Sequence, residues 1–337
     1  MKVITTIHPL SPFLADVIAH PVISGVRINT VMPMRRPLED GLAKIKKVAG
    51  AKDVWIDLKC RQIRTSHGFF FEAPEHPRKI VVGDTTCMLD CSNPRAHGVV
   101  RTPPWAELII THKIKVDLSK GPVRCYLQDG YDSALIADII DGNRLLMLDG
   151  PKRVVGGGES INILDPSLEI EGYLTETDNE FVTAAKKVGI HTYMLSYVEQ
   201  DEDIAALLAL DPDARILAKI ESQKGIIWTK ESFPKKYATH PNVSLMAARG
   251  DLYVEVGIER PDLIIGALKR IIKYDSRAVM ASRILTSLRQ GPRPTCSDIT
   301  DIECMRLMGY KTFMVGDDIC FDKGPLMLAL DILRAIS

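Results

Sequence analysis

No stretch of this sequence approaches the roughly 18 consecutive apolar residues of a membrane-spanning helix, which excludes that class at the outset. Net charge is also missing, because 43 Lys and Arg balance 43 Asp and Glu. Without a global positive field, a nucleic-acid binder working through its overall charge is disfavoured, a local patch aside. A secretory leader is not read either: MKVITTIHPL meets Pro9 before an apolar core of that kind can form, and no small-residue cleavage pattern follows. The default expectation is a cytoplasmic protein with neither membrane nor nucleic acid as partner. A disulfide framework is lacking too, since the 7 cysteines are odd in number, lie scattered from Cys60 to Cys320, and read as reduced thiols. Cys87 and Cys91 with nearby His97 hint at a metal, but no second Cys or His pair completes a zinc set. The glycine run Gly156 to Gly158 lacks the strand-to-helix setting and the Lys-Ser/Thr ending of a phosphate loop, and reads as a flexible linker.

What is present is a folded composition, 46% hydrophobic against 26% charged, and a repeated pattern. Short β-branched apolar runs, most followed by helical periodicity, occur at Val3–Thr6, Gly25–Ile28, Val54–Leu58, Thr192–Tyr197, Ile216–Ile220, Val243–Ala247, Ala278–Ala281 and Thr312–Val315. Eight buried strands joined by helical crossovers predict an α/β fold, a closed (β/α)8 TIM barrel; an open doubly wound sheet is the alternative. The alternation breaks after the third strand. From about Thr65 to Leu174 the chain reads as β only, in KIVVGD, ELIITHKIKVDL, PVRCYLQDG, ALIADII and RLLMLDG, separated by Pro and Gly turns. This predicts a small inserted β-barrel domain at 66–173, a candidate lid, between barrel segments 1–65 and 174–337.

Barrel active sites lie at the C-terminal ends of the strands, so charges there carry information. Those ends hold Arg27 and Asn29, Asp57 and Lys59 with Arg64 beyond, Ser196, Lys219 and Glu221, the run Ala248-Arg249-Gly250-Asp251, and Ser282. Any one of these carboxylates taken alone reads as a structural salt bridge; several converging ends weigh the other way. Lys219 and Glu221, two residues apart, leave one face of a strand, and Asp251 follows on the next. Two carboxylates on neighbouring strand ends suit a hard divalent ion, Mg²⁺ or Mn²⁺, and the lack of nearby His or Cys disfavours zinc. A lysine and an arginine beside that ion would form a clamp for charge growing on an enolate or a transferring phosphoryl group.

With these residues in place, the chain resembles the pyruvate kinase family over nearly all its length, without that family's C-terminal regulatory domain. The matching segments, in order, are VITTIHP, GVRIN, IDLKCRQIRT, the β insertion with LQDG and INILDPSLEI, LTETD, LSYVEQDEDI, AKIESQKG, MAARGDLYVEVG, MASRILTSL and PRPTCSDITDI. The resemblance implies that Lys219 is the catalytic lysine, that Glu221 and Asp251 hold the divalent metal, and that Arg27 meets the transferring phosphoryl group. It further implies that Ala248, Arg249, Gly250 and Asp251 line the substrate, with Ser282 in place of a threonine near its reactive carbon. Asn29 and Asp57 fall on ligands of a monovalent cation, usually K⁺, and Lys59 and Arg64 on the phosphate and nucleotide side.

The departures fall on the K⁺ and nucleotide sides. Where the family has a Ser-His-Gly stretch after Arg27-Ile28-Asn29, the chain reads Thr30, Val31, Met32, Pro33; the run after Asp57 reads Leu58, Lys59, Cys60, Arg61, Gln62; a lysine before the INILDP-like stretch is Glu159 or a neighbour; and a Ser-Gly-Glu-Thr segment becomes Gly316, Asp317, Asp318, Ile319. K⁺ and ADP/ATP are thereby left without complete sites. Three readings follow: a metal-dependent enzyme that binds pyruvate, phosphoenolpyruvate or a related 2-oxo acid and stabilises its enolate; a divergent kinase moving phosphoryl from phosphoenolpyruvate to ADP; or a non-catalytic sensor on the same barrel. Arg61 is a fixed cation that could replace K⁺. A homo-oligomer is compatible with all three.

Overall fold

The computed structural model describes residues 1–66, 78–82, 85–89, 105–153 and 155–336. Cys91 and His97, named above as a hint of a metal with Cys87, lie outside the described residues. By its internal contacts the chain divides into two compact units, Met1–Cys60 with Leu174–Ser337, and Arg61–Tyr173. Among the described residues no helix is long and apolar enough to cross a membrane.

The first unit is a closed barrel of eight parallel strands. They are β1 (Lys2–Thr6), β2 (Ile23–Asn29), β3 (Asp53–Leu58), β4 (Thr192–Leu195), β5 (Arg215–Ile220), β6 (Val243–Ala248), β7 (Val279–Ala281) and β8 (Thr312–Val315). Closure comes from β8 lying parallel to β1, with Lys2 opposite Thr312 and Thr5 opposite Val315. Strand β4 ends two residues earlier than its apolar run predicts, because Tyr197 takes a left-handed φ of 50° and turns the chain out of the sheet.

Inside the barrel Ile4, Trp55, Met194, Leu217, Met246, Val279, Ala281 and Met314 form one packed layer. Side chains alternate along a strand, so the residue two positions on leaves the same face one layer higher. Trp55 is therefore followed by Asp57, Met194 by Ser196, Leu217 by Lys219 and Met246 by Ala248. The polar site is set on top of an apolar plug by period-2 geometry alone.

Helix starts tie the strand ends down. Thr175 caps α3 (Glu176–Lys187) in a reciprocal box with Asp178. The buried Asp178 carboxylate also accepts the backbone amides of Lys59 at 2.8 Å and Cys60 at 2.9 Å, fixing the end of β3. Ser222 caps α5 (Gln223–Glu231) by accepting from the Gly225 amide at 3.1 Å. A Cβ on Gly225 would lie 2.8 Å from the Val198 carbonyl oxygen, which is backbone and cannot swing aside. Gly225→Ala is expected to lower stability by about 1–3 kcal/mol through overpacking, read as a lower urea midpoint at unchanged slope.

The second unit is antiparallel. Its main sheet runs, in spatial order, Ile161–Ile163, Val123–Leu127, Asp132–Ile140, Arg144–Leu148, Trp105–Ile109. Two small pairs, Arg78–Val82 with Thr85–Leu89 and Ile114–Lys115 with Glu169–Ile170, complete it. Its core is built from Leu108, Cys125, Leu127, Ala134, Ile136, Leu145 and Met147, every second residue of the paired strands, with Ile161. The glycine run expected to be a flexible linker is pinned instead. Thr65 donates its hydroxyl to the Gly156 carbonyl at 2.6 Å, its own carbonyl accepts from the Gly158 amide at 2.8 Å, and Val155 is buried in the core. These backbone groups have partners in the strand-like segment at Arg64 and Thr65, a long-range pairing that composition does not reveal.

Candidate active site at the barrel mouth

Lys219 stands one layer above the apolar plug, 6% exposed. Its ammonium donates to Ser196 Oγ at 2.8 Å and lies 3.3 Å from Asp57 Oδ1 and 3.0 Å from Glu221 Oε1. Ser196 passes its own proton to the Leu58 carbonyl at 2.7 Å, so its oxygen lone pair faces the lysine. Burial alone would lower the lysine's pKa, but the Asp57 and Glu221 carboxylates outweigh it, and the group is held charged above its usual value.

Asp57 is fully buried and serves three cations. It accepts from Arg27 Nε at 2.9 Å and from Arg27 Nη2, from Lys59 Nζ at 2.7 Å, and from Lys219. Desolvation pushes the carboxyl pKa up, while Arg27, Lys219 and Lys59 pull it down further, leaving it well below the ordinary aspartate value. Arg27 continues through Nη1 to Thr6 Oγ1 at 2.8 Å and to Asp317 Oδ1 at 2.7 Å. Asn29 donates to the other Asp317 oxygen at 2.7 Å. Burial lowers the Arg27 pKa, and Asp317 and Asp57 more than restore it. Asn29 and Asp57, expected as ligands of a monovalent ion, are thus occupied by Asp317 and by fixed cations. The cation reaching Asp57 from the altered loop is Lys59; Arg61 belongs to the second unit, where it stacks over Tyr173 at 4.7 Å.

Glu221 is 1% exposed and accepts the Tyr197 backbone amide at 2.7 Å. Burial raises its pKa, Lys219 opposes the rise, and Asp251 adds to it. Asp251 opens the first turn of α7 (Arg249–Gly257). The same acids, with Glu255 and Glu199, surround the buried Tyr197 phenol and, on top of its burial, push its pKa far up. A second acid beside the buried Glu221 carboxylate, adding to the rise in its pKa, is a pair that a hard multivalent cation would relieve; the oxygen donor set fits Mg²⁺ or Mn²⁺. Among the described residues the one compact His and acid cluster, His191, Asp211 and Asp213, is at the opposite end of β4. There Asp211 is already bonded to His191 at 2.8 Å and to the Tyr193 hydroxyl at 2.8 Å, joining strand to helix.

The start of α7 carries no side-chain cap, and a helix N-terminus is where backbone amides can meet an anion. Ala248 ends β6, and Gly250, two positions on, is buried. Arg249 does not point at a ligand with its guanidinium: it donates to the Ser282 carbonyl at 3.1 Å, the Arg283 carbonyl at 3.1 Å and Asp301 at 2.8 Å, locking β7's end to β6's. Ser282 has a left-handed φ of 70°, as has Arg283 at 55°, a costly backbone just past β7 that this clamp holds. Arg283 lies over the Tyr253 ring at 5.0 Å. Arg64 lies in the second unit and donates to Gln62 and to the Gly158 carbonyl. His8 packs its ring on Phe321, centroids 5.6 Å apart. Asp317, Asp178 and the acids Glu199 and Glu255 were not among the expected site residues. A charged residue just after the last strand was the one signal that pointed to Asp317.

Fold and mouth together define a (β/α)8-barrel protein with a β domain inserted after its third strand and an acid, lysine and arginine site at the C-terminal rim. Residues 40–323 match the family profile described as pyruvate kinase, barrel domain, and the chain belongs to the pyruvate kinase family. Among curated proteins it is similar to pyruvate kinase from Borreliella burgdorferi, 26% identical over 90% of this chain and 60% of that one. Pyruvate kinases from Thermotoga maritima, 26% identical over 61% of this chain and 47% of that one, and Methanocaldococcus jannaschii, 28% over 54% and 41%, also match. The chain thus spans three-fifths or less of the length of these relatives.

Proposed function

We propose that the barrel mouth binds pyruvate or a closely related 2-oxo acid and stabilises its enolate, with a divalent metal and without an intact nucleotide or K⁺ site. The observation that carries this reading is the buried Lys219 ammonium, held by Ser196, Asp57 and Glu221 beside the Glu221 and Asp251 carboxylates. A divalent ion held by Glu221 and Asp251 would draw electron density from the keto and carboxylate oxygens of the substrate. Lys219 balances the negative charge that grows on the keto oxygen as the adjacent C–H or C–C bond breaks. The amides at the start of α7 take the substrate carboxylate, and Ser282 orients the water that carries the proton to or from the methyl carbon. Lys59 and Arg27, paired on Asp57, supply the positive charge that a monovalent ion would otherwise bring.

Phosphoryl transfer from phosphoenolpyruvate to ADP is the second reading, favoured by the family match across residues 40–323. The test is solvent deuterium exchange into the methyl group of pyruvate, followed by proton NMR with Mg²⁺ and no nucleotide. Exchange dependent on the metal and on the protein is the expected result. No exchange, combined with ATP formation from phosphoenolpyruvate and ADP, would replace the first reading by the second.

A further inference from the structure

Arg27 has every nitrogen of its guanidinium engaged: Nε and Nη2 by Asp57, and Nη1 by Thr6 and Asp317. The two acids differ in kind. Asp57 is fully buried and shared with Lys59 and Lys219, so an incoming anion cannot displace it without stranding three cations. Asp317 comes from the short turn Asp317–Ile319 after β8, and its side chain is 39% exposed, against 8% for Arg27. Its two oxygens bridge Arg27 at 2.7 Å and Asn29 at 2.7 Å, both on β2. It is therefore a carboxylate of the protein itself, seated on the solvent side of Arg27 where an anion from solution would dock.

We infer that Asp317 is a built-in anion that occupies Arg27 and sets the substrate class, admitting unphosphorylated 2-oxo acids and turning away their phosphorylated counterparts. A phosphoryl dianion approaching Arg27 meets one negative charge already in place on Nη1 and a second, Asp57, on Nε and Nη2. A 2-oxo acid makes no such demand, because its carboxylate and keto oxygens are met by the start of α7, by Lys219 and by the divalent ion that Glu221 and Asp251 would hold. This assignment rests on the enolate reading for what the mouth accepts, but not for what Asp317 does to Arg27.

The test compares the full chain with Asp317→Ala and Asp317→Asn, each shown to be folded by its thermal melt. Oxalate and phosphoenolpyruvate are titrated calorimetrically with Mg²⁺ present. In both variants the ratio of phosphoenolpyruvate to oxalate affinity should rise by about tenfold or more, more in Asp317→Ala, which clears the position entirely. An unchanged ratio, or one that falls, overturns the assignment. Failure of oxalate to bind the wild-type protein would sink the enolate reading and leave Asp317 to be decided by inorganic phosphate alone. A gain of about tenfold in phosphate affinity in Asp317→Ala then upholds its role, and no gain refutes it.

Discussion

Lys219→Met is expected to reduce metal-dependent pyruvate exchange by about 10²–10³-fold, the loss seen when a donor aimed at developing negative charge is removed. Methionine keeps the length and apolar stem of lysine while deleting the ammonium, so packing against Leu217 and the strands beside it is preserved. What changes is electrostatic. Glu221 loses the cation at 3.0 Å, and Asp57 keeps Arg27 and Lys59. Oxalate binding in Mg²⁺ should survive more fully than exchange, since the metal carboxylates and the α7 amides remain. The check is the exchange rate per folded chain by proton NMR beside the oxalate isotherm. Equal losses in both would mean that the lysine only organises the pocket and does not meet the reacting oxygen.

The largest stability effect is expected at Asp57. Asp57→Ala leaves Arg27, Lys59 and Lys219 gathered at a buried place without their shared acceptor, and should cost about 3–5 kcal/mol. The pH dependence has a definite sign. The Asp57 pKa in the folded protein is well below its ordinary 3.8, despite burial, because three cations hold it ionised. Its contribution is therefore complete above about pH 4–5 and is lost as the pH falls from there through the folded value. Urea melts of wild type and Asp57→Asn should differ by a constant amount near neutral pH and converge in acid. A gap that stays constant through pH 3 would show that the carboxyl is not held ionised by its neighbours.

The barrel was legible because its signals are local. Each strand is a short β-branched run, and alternation within it places Lys219 above Leu217 and Asp57 above Trp55 with no knowledge of the partners. The end of β4 was not legible in the same way: the run reads on through Ser196 to Tyr197, and what stops the strand is the left-handed turn at Tyr197, whose amide donates to Glu221, 24 positions away. Asp317 and Asn29 are 288 positions apart, and nothing but barrel closure, β8 beside β1 and β1 beside β2, brings them together. The same holds for Asp178, whose capping role is written in the Thr-x-x-Asp spacing but whose grip on the end of β3 is not. The fixed cation expected in place of K⁺ at Arg61 is a further case. Period 2 from Asp57 points to Lys59, and Arg61 lies past the boundary where the chain enters the second unit.

The most direct measurement is a crystal grown with Mn²⁺ and oxalate, with anomalous data collected at the manganese edge. The expected result is one strong peak at the barrel mouth, bonded at about 2.1 Å to oxygens of Glu221, Asp251 and oxalate, with the Lys219 ammonium facing the same oxalate oxygens. A peak elsewhere, or oxalate bound at the mouth with Glu221 and Asp251 both turned away from the metal, would contradict it.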